Sequence, residues 1–341
     1  MLNKQGRELN LNELRLMQNY PLDIKIAKSK IRIQEFVRHF GIDGVYVSFS
    51  GGKDSTVLLH LVRSLYPEVE GVFSNTGLEF PELVEFVKTK ENITMVRPEK
   101  SFKQVLEQEG YPIISKKTAR MIHDCQNPTD RNIVSRTLYL SDYTKNKHGE
   151  TIKNNSFKIA KKWRYLIDSE IPISHRCCDL LKKNPIKKYE KQVGKRPIIG
   201  TMTDESKMRE SSYLQRGGCN SFDEKKGSCL PLSYWTEQDI LQYIKLFNLD
   251  YASVYGDIIE NENGKLETTG EKRSGCIFCG FCFKPSQLEE RFQRLERTHP
   301  QLHDYCMRGG KLNDKGKWIP EQGLGMAKVC DVLGVKWTSK E

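Results

Sequence analysis

Residues 48–55 read Ser48-Phe49-Ser50-Gly51-Gly52-Lys53-Asp54-Ser55, and their parts suit one kind of ligand. Gly51 and Gly52 lack a Cβ, so the backbone can curl and approach a bound group closely. Lys53 adds a cation, and Ser48, Ser50 and Ser55 add hydroxyls. A helix starting here would present unpaired amides and a partial positive charge, which favour an anion. Phosphate fits that set. The string is not a Walker loop, which needs four residues between its first glycine and Gly-Lys. Without a ligand, the same residues make a glycine turn and an ordinary helix start, Asp54 and Ser55 being good caps.

Sulfur forms a second set. Cys177 and Cys178 are adjacent, and Cys276, Cys279 and Cys282 follow as a CxxCxxC run. That spacing lets thiolates converge on one centre. An iron–sulfur cluster takes four thiolates, and structural zinc can use the same number. Cys219 and Cys229 bracket a Gly-rich, charged loop and carry a weaker hint of pairing, while Cys125, Cys306 and Cys330 fall in no pattern.

The elements that must hold these residues alternate. Leu22 to Phe40 has helical periodicity, and Val45–Ser48 reads as a strand feeding the glycine loop. A helix then runs to about residue 65. Residues 69–74 read as a second strand, 81–90 as a helix with Pro81 in its first turn, 93–96 as a third strand and 101–108 as another helix. Strand alternating with helix predicts an α/β fold, a parallel sheet with helices on both faces. In such sheets ligands lie at the carboxyl ends of strands, where the glycine loop and the loop Asn75-Thr76-Gly77-Leu78-Glu79-Phe80-Pro81-Glu82 both fall. Alternation fails from residue 110 to 165, a polar, basic stretch read as an insertion of part helix, part loop. Within it, residues 158–165 interleave basic and aromatic residues, which can pair with phosphates and stack on bases, but a plain amphipathic helix is the better single explanation. Sheet-like sequence returns at 196–200. The boundaries this implies are a first half of the core with its leading helix at 1–110, the basic insertion at 111–170, a second half of the core at 171–260 and a cysteine-rich region at 261–341.

Ser-Gly-Gly-Lys-Asp-Ser resembles the pyrophosphate-binding (PP) loop of the ATP pyrophosphatase superfamily, whose fold is adenine nucleotide alpha hydrolase-like. The 75–82 segment is similar to the (Asp/Asn)-Thr-Gly-x-x-Phe-Pro-Glu segment of the phosphoadenosine phosphosulfate (PAPS) reductase family, with Asn75 where aspartate is commoner. Residues 200–209 resemble that family's Gly-x-Arg-x-x-(Glu/Gln)-Ser-x-x-Arg, although Met202 replaces the first arginine. Arg-Cys-Cys-x-x-x-Lys-Lys-x-Pro followed far downstream by Cys-x-x-Cys resembles the [4Fe–4S] site of adenylyl-sulfate reductases. The resemblance covers about residues 40–110 and 170–285. It implies ATP or an adenylylated sulfur compound bound by Ser48, Ser50, Gly51, Gly52, Lys53, Asp54, Ser55, Asn75, Thr76, Gly77, Glu79 and Arg209. Lys53 and Asp54 would be catalytic, with Mg²⁺ bridging phosphates and Asp54 its ligand, directly or through water. It also implies a [4Fe–4S] cluster on Cys177, Cys178, Cys276 and Cys279, with Cys282 as replacement ligand or free thiol and zinc as the alternative metal. The family's C-terminal Glu-Cys-Gly-(Leu/Ile)-His motif is missing; Cys330 lacks those neighbours.

The chain has 341 residues, 37% apolar and 29% charged, as in soluble globular proteins. No run approaches the ~20 apolar residues of a membrane span, and the first residues have no signal-peptide core; the expected location is cytoplasmic. Ten cysteines there are thiols or metal ligands rather than a disulfide frame. The net charge is +11, and residues 116–196 hold 20 Lys and Arg against 8 Asp and Glu. Such a block is either a solvated face or the contact surface of a polyanion. Three activities therefore follow: a small-molecule sulfonucleotide reductase, an ATP-dependent sulfuration enzyme acting on DNA or tRNA with a sulfur-donor protein, or a non-catalytic sensor that binds nucleotide, cluster and nucleic acid.

Overall fold

A computed structural model describes residues 10–282 and 284–339; the ends of the first and last regions read above lie outside the described residues. The chain divides into two compact units. Among the described residues, the first comprises 10–75, 79–97 and 185–275, and the second 76–78, 98–184, 276–282 and 284–339.

The first unit is built on a six-stranded sheet. Its order is Ile93–Val96, Gly71–Ser74, Val45–Ser48, Arg196–Ile199, Ser228–Cys229 and Asn220–Ser221. All pairings are parallel except the last, which is antiparallel. Val45, Tyr46 and Val47 are fully buried, as expected of a central strand covered on both faces. Tyr46 packs with Val72 beneath Tyr189 and Ile186 of helix Asn184–Val193. Helix Leu22–Phe40 packs with helix Lys53–Arg63, which in turn meets helix Glu237–Leu246. Successive strands step outward from Val45–Ser48 on one side, and the chain then crosses to Arg196–Ile199 on the other. The glycine loop thus leaves the strand at which the order reverses, the switch point where open α/β sheets bind ligands.

The second unit is mainly helical. Its helices include Phe102–Glu109, Lys116–Gln126, Ile133–Leu140, Pro285–Thr298, Pro300–Met307 and Met326–Leu333. The basic stretch adds a hairpin, Tyr143–Lys145 with Thr151–Lys153, that sequence periodicity did not indicate. The segment read as an amphipathic helix over 158–165 forms a 3₁₀ helix, Lys161–Asp168. A buried segment, residues 111–114, with the strand Ile113–Ile114 at its end, organises this unit. On one side Tyr111 bridges Ile173 in parallel; on the other Ile113–Ile114 pairs in parallel with Gly280–Phe281. Tyr111 is anchored by its hydroxyl, which donates to Leu324 O at 2.7 Å and accepts from Trp318 Nε1 at 3.0 Å. Among the described residues, no helix is long and apolar enough to cross a membrane.

Candidate functional site

The glycine loop closes on itself. Ser50 N donates to Ser55 Oγ at 3.1 Å, the two hydroxyls lie 3.0 Å apart, and Ser55 Oγ donates to Gly52 O at 2.9 Å. Gly51 has φ of +72°, and a Cβ there would come within 2.8 Å of Val87 Cγ2. A Cβ on Gly52 would lie 2.7 Å from Ser274 Oγ and 3.1 Å from Tyr255 Oη. Glycine is therefore favoured at 51 by conformation, and at 52 a Cβ would push aside the Ser274 hydroxyl. Helix Lys53–Arg63 begins immediately, with Gly52 as N-cap. The amides of Asp54 and Ser55 sit in its first turn, where helices have no internal acceptor.

Lys53 is 95% buried, unusual for a lysine. Its Nζ donates to Lys272 O at 3.2 Å and stands 3.2 Å from Glu237 Oε1 and 3.4 Å from Asp54 Oδ1. Burial opposes its charge, but the Asp54 and Glu237 carboxylates outweigh burial and hold its pKa above the usual value. Burial pushes the Asp54 carboxyl up, with Lys53 opposing. Its Oδ1 is buried and accepts no hydrogen bond. Arg273 acts on Asp54 electrostatically and, like Arg209, pairs with Glu205.

The site thus includes residues that the sequence reading missed: Glu237, Tyr255 and the segment Lys272-Arg273-Ser274. Their signal was a charged, hydroxyl-bearing run, Glu271-Lys272-Arg273-Ser274, set directly before Gly275 and Cys276. Asn75 ends the second strand's turn, its amide donating to Val96 O at 2.9 Å, and it and Glu79 belong to the first unit. Thr76 and Gly77 belong to the second, where Thr76 Oγ1 accepts from Leu78 N at 3.2 Å. Ser48 ends the central strand. Arg209 lies in the first turn of helix Lys207–Arg216, capped by Ser206.

The thiol site is assembled around the segment 111–114. Ser174 N donates to Tyr111 O at 3.0 Å, bringing the chain toward Cys177 and Cys178; Cys282 N donates to Ile114 O at 2.8 Å on the other side. Cys279 N donates to Cys276 O at 3.1 Å, closing the CxxC turn, and Arg291 donates to Cys279 O at 2.5 Å. A Cβ on Gly280 would lie 2.7 Å from Pro112 O, so only glycine permits this approach. The Cys177 and Cys178 thiols share a hydrogen bond. The pKa of Cys177 rises, first from that bond, then from burial and the neighbouring Cys178, Cys276 and Cys279. Cys178 is drawn down to about 6 by the same hydrogen bond, with burial opposing and Lys116 and Lys182 assisting. Burial raises Cys279 and Cys282 against the pull of Arg291. Among the described residues, no group of three or more His, Cys, Asp and Glu side chains is placed to hold a metal ion. The chemistry of the donor set nonetheless suits an iron–sulfur cluster: Cys178, Cys276 and Cys279 all act on the Cys177 thiol, and the cations Lys116, Lys182 and Arg291 act on Cys178 or Cys279. Cys219 and Cys229 are buried free thiols beside the sheet edge, in the first unit.

The profile of the phosphoadenosine phosphosulfate reductase domain matches residues 44–127 and 129–260. The chain belongs to that family. An uncharacterised protein of Methanocaldococcus jannaschii is 27% identical over 262 residues, 76% of this chain and 45% of that one; the chain spans under half the length of the curated relatives it matches. Among solved structures, a PAPS reductase of Candida auris is 12% identical with a TM-score of 0.39, over 76% of this chain and 98% of that one. A U34-tRNA thiolase of Methanococcus maripaludis, solved with its [4Fe–4S] cluster, is 15% identical with a TM-score of 0.36, over 90% of this chain and 85% of that one.

Proposed function

We propose that the chain binds ATP, or an adenylylated sulfur compound, at the Ser50–Ser55 loop and uses it to activate or transfer sulfur. The observation that carries this reading is the preformed loop with a buried lysine beside it. Ser50, Ser55 and Gly52 hold the backbone open without a ligand, and Lys53 keeps its charge although buried. Charge that develops on a departing pyrophosphate would meet the amides of Asp54 and Ser55 and the Lys53 ammonium. Donors fixed in advance stabilise a transition state without reorganising. Bound phosphate would compete with Glu237 for Lys53, and Asp54 Oδ1, buried and held by its ion pair with Lys53, would serve a phosphate-bound Mg²⁺. Arg209 and Arg273, now on Glu205, add cations for an anionic substrate.

A [4Fe–4S] cluster would be held by Cys177, Cys178, Cys276 and Cys279, and would supply electron transfer or sulfur coordination. Cys282 acts less directly: the thiols that act on Cys177 are Cys178, Cys276 and Cys279. A sulfur-donor protein would supply the sulfur atom. The test is product analysis without air. Pyrophosphate release from ATP and Mg²⁺ is expected. Sulfite release from a sulfonucleotide, with no pyrophosphate, would move the chain to the reductases; neither product would leave a binding protein. Brown protein containing iron and sulfide is expected, and colourless protein with one zinc would remove the cluster.

A further inference from the structure

The net charge of +11 leaves open which cations are free to meet a partner. Those in the aromatic-rich stretch are largely engaged within their own unit. Lys158 and Arg164 lie 3.2 and 3.7 Å from Asp142, and Lys162 covers the Trp163 ring at 4.9 Å. Lys116 and Lys183 flank Asp179 at 3.0 and 2.9 Å. The first unit differs. A cleft of about 540 Å³ is lined by Lys187, Lys191, Arg196, Lys225 and Lys226, with Glu190 as its acidic member. Glu190 is taken by the Tyr46 hydroxyl at 2.8 Å. Lys187, Lys191, Lys225 and Lys226 are exposed, and Lys225 and Lys226 act electrostatically on the Asp223 carboxylate beside them.

The cleft is a built feature. Lys187 and Lys191 stand one turn apart on helix Asn184–Val193, so they share a face. Opposite them, Asp223 Oδ1 accepts from the amides of Lys225 and Lys226 at 2.9 and 2.7 Å, which fixes the turn; those bonds and the two lysines keep its carboxylate charged. Arg196 ties the two walls together: it donates to Gly194 O at 2.9 Å at the helix end and to Glu224 O at 3.0 Å in the turn. Gly227 ends the turn where a Cβ would lie 2.6 Å from Asp223 O. The cations around the cleft outnumber the Glu190 and Asp223 carboxylates, and the excess positive charge favours a counter-anion. Arg196 begins its strand, and Val45 pairs with it in register. The cleft therefore lies at the strand-start end of the sheet, away from the glycine loop after Ser48.

We infer that this cleft docks the phosphate backbone of a nucleic acid, an anchor separate from the nucleotide site. Flexible, exposed lysines in two rows suit a line of phosphates, because duplex DNA presents a charge about every 1.7 Å of axis. A single small anion would be better held by buried donors aimed at one point.

The test compares two charge-reversed proteins with wild type on a duplex DNA and a single-stranded RNA, over a range of salt. Lys187→Glu, Lys191→Glu, Lys225→Glu and Lys226→Glu together should lower affinity at least tenfold. They should also remove most of the salt dependence, a log–log slope of about −3.6 if all four contact duplex phosphates. Lys158→Glu, Lys161→Glu, Lys162→Glu and Arg164→Glu together should change binding much less. ATP binding, measured on the same samples, should be unchanged in both. The cleft inference and the nucleotide reading then fail separately, the first on nucleic-acid binding and the second on ATP. Wild-type-like binding by the first variant overturns the inference. So does binding of neither polymer by wild type, or inorganic phosphate binding at these lysines without the polymers.

Discussion

The glycine loop and the thiol site contrast in how sequence builds them. Ser50, Gly51, Gly52, Lys53 and Ser55 are near neighbours, and the hydrogen bonds that shape the loop run among them. A strand ending and a helix beginning suffice to form it. The cysteines come from residues 177–178 and 276–282, and meet only because both segments flank the segment 111–114. One site is a property of local backbone; the other is a property of strand pairing. The two should therefore break under different substitutions.

The largest effects should come from two glycines. Gly52→Val places a side chain against Ser274 and Tyr255, in the space a phosphate would use. ATP affinity measured by calorimetry should fall at least a hundredfold, about 2.7 kcal/mol, with iron content unchanged. Gly280→Val should do the reverse. Its Cβ would meet Pro112 O at 2.7 Å and Ile113 Cγ2 at 3.0 Å and force the strands apart, so iron and sulfide should be lost while ATP still binds. If either variant abolishes both properties, the contrast between a local and an assembled site is wrong.

The thiols can be sorted next. Cys279→Ser should remove most of the iron, because Cys279 lies in the field of Cys177 and Cys178. Cys282→Ser should keep it, since its thiol faces Cys279 and Cys330 instead. Equal loss in both would make Cys282 a ligand. Lys53→Ala is a smaller perturbation than Gly52→Val, since the loop's own hydrogen bonds remain. ATP affinity should fall ten- to a hundredfold, in keeping with the ~1.5–3 kcal/mol of a hydrogen bond involving a charged group.

How much of this could be read from sequence follows the same division. The order of strand, glycine turn and helix was visible in Val45 to Val62 because apolar periodicity and glycine are local signals. The CxxCxxC run announced a thiol site as an inventory, yet no pattern in residues 110–114 says that they join its two halves. Glu237, Tyr255 and Ser274 reach the loop from far along the chain, and nothing near Lys53 points to them. The basic block was visible as composition, but its engagement by Asp142 and Asp179 depends on tertiary pairing. Composition counts charges; only structure tells which are already paired.

The smallest effect concerns the scaffold under the loop rather than either site. Glu70 immediately precedes the strand Gly71–Ser74 and accepts from Lys195 at 2.6 Å, from Thr94 at 3.0 Å and from the Tyr189 hydroxyl. Burial works against its charge, but the hydrogen bonds from Lys195, Tyr189 and Thr94 outweigh it and lower its pKa. The folded protein thus holds the carboxylate more tightly than the unfolded chain, whose value is about 4.3. Stability from this group is present above that value and disappears as the pH falls through the lower, folded pKa. Glu70→Gln should cost about 1 kcal/mol at pH 7, the order of a net hydrogen bond, and the difference from wild type should vanish in strong acid. Denaturant melts across the acid range would measure it. Since Glu70, Tyr189 and Lys195 all lie in the first unit, the variant should leave iron content untouched. A matching loss of iron would show that the thiol site depends on this scaffold, and the two sites would no longer be separable.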